Sequence, residues 1–379
     1  MSIEIHGTVA PGFEAVRTAF AANWQYTQEV GASLAVTVRG EPVVDLWAGT
    51  ATYDNGPGDW HENTIINVWS TTKTMSFLCM LMLVDRGLLD LYEPVATYWP
   101  EFAANGKEQI ATRHIMAHTA GLPGWDEPLV KEDLLDHDKL VALSAAQAPW
   151  WEPGTRSGYH AISQGYLLAE ILRRIDGRTM GRFFAEEIAG PLGADFHIGT
   201  GPEHDPRIAH VIPPSSPLTA ADVAPDSIAA RMADNPELRA EYSSTTPWRR
   251  AEIPAAGGHG NARSIARVHS AIACGGTVDG VNLAAPDTLD KIFDVQYEGV
   301  DLVLPLPLKL GMGFGLPGAQ MPVPNPRTCF WGGWGGSLAV LDLDAQVSFA
   351  YAMNKMFDGT TGDLRAFGPL LATYAALLA

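Results

Sequence analysis

Residues 67 to 73 read "NVWSTTK", a serine beside a tryptophan with a lysine three positions later. The run that follows, "TTKTMSFLCMLMLVDRG", is apolar on most faces and has Gly87 just past its end, so it reads as a buried helix beginning at or next to Ser70. At a helix start the backbone N–H groups are unpaired and the dipole favours negative charge. Two readings of Ser70 follow. It is an N-cap, a common role of serine, or it is a nucleophile. Residues i and i+3 share a helix face, so Lys73 can bring its amine to Ser70, and a desolvated lysine can act as a base. A Ser-x-x-Lys pattern is short, and spacing alone leaves both readings open.

Working outward, residues 12 to 29 carry Phe13, Val16, Phe20 and Trp24 at helical spacing, with Gly31 as the expected stop. "SLAVTV" and "PVVDLWAG" flank Arg39-Gly40-Glu41 and predict a β-hairpin over 33–49. The far end repeats that grammar: "SLAVLDL" (337–343), Asp344-Ala345, "QVSFAYAM" (346–353), then a helix in "LRAFGPLLATYAALLA". Both ends of the chain therefore read as parts of one antiparallel sheet with helices packed on it. Residues 71–175 read mainly as helices, with stops at Gly87 and Gly121. Residues 198–256 are rich in Pro, Ser, Asp and Thr, and stretches this long without regular structure are commonly functional excursions. The expected organisation is a discontinuous α/β domain, 1–66 and 257–379, interrupted by a mainly helical one, 67–256, with a lid-like insert at about 198–256.

Bulk properties narrow the function. The chain has 379 residues, 46% hydrophobic and 18% charged, an ordinary globular composition. The formal net charge of −18, from 25 basic and 43 acidic residues, argues against nucleic acid or an anionic membrane surface as partner. A small-molecule substrate fits better. "MSIEIHGTVAPGFEAV" has neither a basic n-region nor an apolar h-region, so a cytoplasmic location is expected. "FLCMLMLV" (77–84) is far shorter than the about 20 residues needed to span a bilayer. Cys79, Cys274 and Cys329 are widely spaced and are expected to be reduced thiols.

Other chemistries lack their signatures. The nucleophile elbow G-x-S-x-G is absent: "GGSLA" (335–339) and "GASLA" (31–35) both end in Ala. H-E-x-x-H and D-x-D-x-D-G are absent as well, and the eleven histidines are scattered, so no metal and no cofactor is expected. Two further stretches stand out. "PGTRSGYHAISQGYLLAEILRR" places Tyr159 at a helix entry, where a packing role is the commoner one. "CFWGGWGGSLAVLDL" crowds four glycines around two tryptophans before a strand; it is either a tight turn or a place where a ligand approaches the backbone and an N–H is free to stabilise an oxyanion.

Taken in order, S-T-T-K at 70–73, "HTAGLPGW" at 118–125, "PGTRSGYHA" at 153–161 and "WGG" at 331–333 resemble the serine β-lactamase and penicillin-binding-protein superfamily. The similarity is greatest to its class C-like branch, the family VIII carboxylesterases. The resemblance covers most of the chain and implies an α+β, β-lactamase-like fold, an antiparallel sheet flanked by helices with an inserted mainly helical domain and the active site between them. It implies Ser70 as nucleophile, Lys73 as its base partner and Tyr159 as second base and proton shuttle, its phenolate favoured by the Lys73 cation. The backbone N–H groups of Ser70 and Trp334 would form the oxyanion hole.

The chain departs from the penicillin-recognising pattern at two places. Tyr-x-Asn is Tyr159-His160-Ala161, and Lys-Thr-Gly is Trp331-Gly332-Gly333. The first change removes an amide that would bond an acylamino side chain, and the second a cation that would pair with a lactam carboxylate. The expectation is a serine esterase acting on short-chain or aromatic esters, with Trp331, Gly332, Gly333, Trp69, Trp125 and His160 around the substrate. Acyl transfer or amide and lactam hydrolysis through the same acyl-enzyme are the alternatives, and a non-catalytic sensor is a further one.

Overall fold

The computed structural model describes residues 3–216, 223–318 and 321–378. Part of the 198–256 insert, residues 217–222, lies outside them. Apart from a separate two-residue hairpin, Thr277–Val278 with Val281–Asn282, the strands are β1 (Ile5–Val9), β2 (Gly31–Val38), β3 (Glu41–Tyr53), β4 (Gly56–Asp59), β5 (Ile65–Asn67), β6 (Phe196–Ile198), β7 (Ile208–Ala209), β8 (Gly258–Gly260), β9 (Tyr297–Val300), β10 (Pro307–Leu310), β11 (Thr328–Gly332), β12 (Leu338–Asp342) and β13 (Val347–Met353). The main sheet runs β1-β3-β2-β13-β12-β11, antiparallel throughout, with β4 paired to β3. Its central pair joins the two ends of the chain: Leu34 faces Tyr351 and Ser33 faces Ala352 across β2 and β13.

Both faces of that pair are buried, which is why these strands carry no charged residue. On one face Tyr351 meets Phe20 of helix α1 (Glu14–Tyr26). On the other, small residues let α4 (Ala262–Ala273) lie close, and Ser33 Oγ accepts the N–H of Ala262 at its first turn. The hairpin turns at Arg39 and Gly40, both left-handed. One boundary differs from expectation. Helix α1 ends at Tyr26, and Gln28 supplies the left-handed residue at its exit. Gly31 instead opens β2, where a Cβ would lie 2.3 Å from Thr50 O.

Between the ends come α2 (Thr72–Asp85) and α3 (Ser163–Asp176) with several shorter helices. Helix α2 is buried on nearly every residue, as its lack of a polar face requires. A second, small sheet, β6-β8-β5-β7, sets β5 beside β8, so the chain enters and leaves the helical region at adjacent strands. The described part of the insert holds the two-residue strand β7 and short helical turns, among them Ile228–Met232 and Thr246–Arg250.

The C-terminal helix α5 (Leu364–Leu377) packs on α1 and carries Arg365, which is fully buried. Its guanidinium bonds the Glu29 carboxylate at 3.0 Å, Asp363, and the carbonyl oxygens of Lys355 and Gly335, both at 2.7 Å. Removing one partner from such a network leaves a buried charge uncompensated. Arg365→Ala is expected to lower the unfolding free energy by about 3–5 kcal/mol, read by chemical denaturation.

Candidate active site

Ser70 lies in a tight turn, Trp69–Thr71, immediately before α2. Thr71 holds the N-cap position of α2, and no side chain caps that helix. The hydroxyl of Ser70 points elsewhere: its Oγ lies 2.6 Å from Tyr159 Oη and 3.2 Å from Lys73 Nζ. The cap reading is thereby excluded by geometry. Trp69, just before it, sits at φ +48°, a conformation that a bulky residue holds only when its surroundings over-determine it. Those surroundings are Trp248 and Trp334, whose rings lie 5.5 and 4.9 Å from that of Trp69.

Lys73 is 1% exposed and has no carboxylate partner among the described residues; its Nζ also donates to the carbonyl oxygens of Ala161 at 2.6 Å and Ala255 at 3.0 Å. Burial holds its pKa well below the ordinary lysine value. The approach of Ala255 depends on Gly165 of α3, where a Cβ would lie 2.4 Å from the Ala255 nitrogen. With two N–H groups committed to carbonyls, the remaining position on Nζ faces Ser70 Oγ. In the neutral amine that position is a lone pair.

Tyr159 is 4% exposed, and burial pushes its phenol up to about 12. Its bond to Ser70 and a weaker approach of the Trp331 indole N–H, short of hydrogen-bond geometry, oppose the shift, while the Asp301 charge adds to it. A phenolate favoured by Lys73 is therefore not what this environment supports. The Lys73 nitrogen sits over the Tyr159 ring, 4.9 Å from its centroid, but burial disfavours the charged form of both groups.

The glycine-rich turn behind β11 lies against the Ser70 turn. Ser337 Oγ donates to Val68 O at 2.8 Å and lies 2.9 Å from Thr71 Oγ1. At Gly333 a Cβ would meet Ser337 Oγ at 2.2 Å and Val68 O at 2.3 Å, and at Gly332 it would meet the backbone of Thr361 and Gly362. What approaches these two glycines is the protein's own chain rather than a ligand. Gly333 and Gly336 spend their N–H groups within the turn and Gly335 donates to Gly359 O, leaving the N–H groups of Trp334 and Ser70 without a backbone acceptor among the described residues. Arg365 grips the same turn through Gly335 O.

Of the other expected pocket residues, Trp331 is buried against Tyr159 and His118, and Trp69 adjoins Ser70. Two belong elsewhere. The indole of Trp125 donates to Ser144 Oγ at 2.9 Å and packs near Tyr166, inside the helical region. His160 braces two loops, with Nδ1 bonded to Gly158 O at 2.6 Å and Nε2 accepting the Leu122 N–H at 3.1 Å, so neither nitrogen is available to a substrate. The sequence reading assigned nothing to His118, although it opens "HTAGLPGW". Its ring lies 4.8 Å from that of Tyr159, its Nδ1 accepts the His160 N–H, and burial keeps it neutral. Asp301 was missed altogether. Among the described residues one group, Asp195, His197 and His204, brings three metal-type ligand atoms within 4.8 Å. The Arg207 guanidinium already bonds Asp195 and His204 there, so the cation of that cluster is Arg207.

No helix among the described residues is long and apolar enough to cross a membrane. Residues 16–372 match the family profile described as Beta-lactamase. The chain is 34% identical over 368 residues to Esterase/beta-lactamase LipL of Mycobacterium tuberculosis, covering 93% of this chain and 83% of that one. Among solved structures it is similar to a family VIII carboxylesterase, with 39% identity, a TM-score of 0.91 and coverage of 99% and 100% of the two chains. It is also similar to a penicillin-binding-protein homologue from Caulobacter crescentus, with 36% identity, a TM-score of 0.92 and coverage of 98% and 100%. A buried Ser-Lys-Tyr cluster in this fold, matched end to end by such relatives, makes the chain a serine hydrolase of the β-lactamase family, on its family VIII carboxylesterase branch.

Proposed function

We propose that the protein hydrolyses short-chain or aromatic carboxylic esters through an acyl-enzyme on Ser70. The observation that carries this is the Ser70 hydroxyl held between a buried lysine with its other N–H groups committed and a protonated tyrosine 2.6 Å away. The esterase names of its relatives support the substrate class.

The chemistry follows from where the protons sit. Ser70 Oγ attacks the ester carbonyl carbon as its proton passes to neutral Lys73, which a serine needs because its hydroxyl is otherwise a poor nucleophile. The carbonyl π electrons move onto oxygen, and the N–H groups of Ser70 and Trp334 stabilise that oxyanion. The tetrahedral intermediate collapses, breaking the bond to the alkoxy oxygen, which takes a proton from Tyr159. Lys73 returns its proton to Tyr159. Water then attacks the acyl carbon, its proton leaving to the same Lys73–Tyr159 pair, and Ser70 Oγ recovers a proton as the acid departs. Tyr159 thus acts as an acid in the first half-reaction.

Trp331, buried against Tyr159, occupies the position where penicillin-recognising relatives carry a lysine, and Ala161 offers Lys73 its carbonyl while presenting only a methyl group. An apolar ester suits that wall better than a charged lactam.

Ser70→Ala is expected to abolish turnover of p-nitrophenyl butyrate without loss of fold, and wild type is expected to turn over a chromogenic cephalosporin far more slowly than the ester. The reaction needs Lys73 neutral, so kcat/KM should fall as pH falls and the amine takes up a proton. Because burial lowers that pKa, this acid limb should lie far below the ordinary lysine value of about 10.4; a pH profile that rises only near that value would contradict the base assignment. Gly333→Ala forces the Trp334 turn away from Val68, and loss of one oxyanion donor predicts an about 10²- to 10³-fold drop in kcat, measured on folded protein.

A further inference from the structure

Strands β9 and β10 form a hairpin whose connecting loop, 301–306, lies against the loop that carries Tyr159. Leu304 and Leu310 share an apolar cluster with Tyr159 and Trp331, and Val303 and Leu308 pack on it. At the start of that loop Asp301 is buried, 3% exposed. Its Oδ1 accepts three backbone N–H groups, those of Tyr159 at 3.0 Å and of Val303 and Leu304 at 2.8 Å. Its Oδ2 accepts the Ser157 hydroxyl, and Leu302 N–H donates to Ser157 O at 2.8 Å beside it. Among the described residues all four partners of the carboxylate are N–H or O–H groups, and none is a basic side chain.

A buried carboxylate without a cation is costly, and a neutral side chain of the same shape would serve packing as well. The donor that sets Asp301 apart from an ordinary loop anchor is the N–H of Tyr159. We propose that Asp301 is a positioning residue for the ester reaction: one oxygen holds both the Tyr159 backbone and the 303–304 wall, fixing the phenol where it protonates the departing alkoxide. Its negative charge also disfavours loss of the phenolic proton, keeping Tyr159 a donor. This assignment rests on the esterase reading above.

The consequence is selective for the leaving group. When the carbonyl carbon–oxygen bond breaks, ethoxide is a strong base and needs the Tyr159 proton, whereas p-nitrophenolate departs without it. A loop that merely stabilised the fold would affect both alike. Asp301→Asn keeps an oxygen for the three N–H groups and places an amide against Ser157, so it is the variant most able to fold; Ser157→Ala, which removes one partner only, is the second. With folding checked by circular dichroism, kcat/KM is measured on ethyl butyrate by titration of released acid and on p-nitrophenyl butyrate by absorbance. Asp301→Asn is expected to lose about 10²-fold on the ethyl ester and less than about tenfold on the p-nitrophenyl ester, with Ser157→Ala smaller in the same direction. In a Tyr159→Phe background the ratio between the two esters should not change further. Equal losses on both esters, or no loss on either, would overturn the assignment while leaving the esterase reading intact. A wild-type protein inert towards both esters would overturn the esterase reading itself, and the role of Asp301 with it.

Discussion

The site depends on the burial of one amine. An ammonium in this position would lack a counter-ion among the described residues, since what surrounds Lys73 there is two carbonyl oxygens, a hydroxyl and an aromatic face. Withdrawing it from water favours the neutral form, and the two carbonyls then determine which way the lone pair points. Much of the architecture serves that arrangement. Helix α2 is buried almost throughout so that its first turn is dry, α3 carries a glycine where it crosses Ala255, and the Tyr159 loop supplies the second carbonyl. The Ser70 hydroxyl, the proposed nucleophile, is set by a strained tryptophan beneath it rather than by a cap.

The same logic separates the two titrating partners of Ser70. Burial lowers the lysine and raises the tyrosine, so for both groups it favours the neutral form. In the reaction proposed above, charge would appear first on Lys73 and on the oxyanion, where fixed N–H groups would meet it without reorganising. His118 and His160, both buried and kept neutral, add hydrogen bonds and aromatic surface without adding charge. The glycines after Trp331 contribute by absence: with no side chain, they let the oxyanion turn press against the residues preceding Ser70.

How much of this could be read from the sequence follows from the range of each interaction. Ser70 and Lys73 are three residues apart on one helix, and their proximity is a matter of helical pitch. The hairpin at Arg39-Gly40 and the apolar strands at either end are equally local signals. Tyr159 was found through its motif and its resemblance, since nothing about a tyrosine at a helix entry identifies a proton donor. The carbonyls of Ala161 and Ala255 carry no residue-type signal at all, because every residue offers one. Asp301 is 142 residues from the tyrosine it holds, in a loop whose composition is unremarkable. Trp125 and His160 lie next to motif residues and were read as pocket, but their ring nitrogens are claimed by Ser144 and by Gly158 and Leu122, contacts that only the folded chain creates.

The central strand pair of the main sheet has a bearing on how the chain reaches this state. Gly31 donates its N–H to Asn354, a bond spanning 323 residues, and β2 meets β13 along its whole length. Until β13 leaves the ribosome, β2 has β3 on one edge and an open apolar edge on the other, and α4 lacks half of the surface it covers. Such long-range pairing is slow, and an unpaired edge of this kind invites association with other chains. Synthesis therefore holds the β2–β3 hairpin waiting for a partner made much later, and the interval between them is when this chain is most exposed to aggregation and most open to a chaperone.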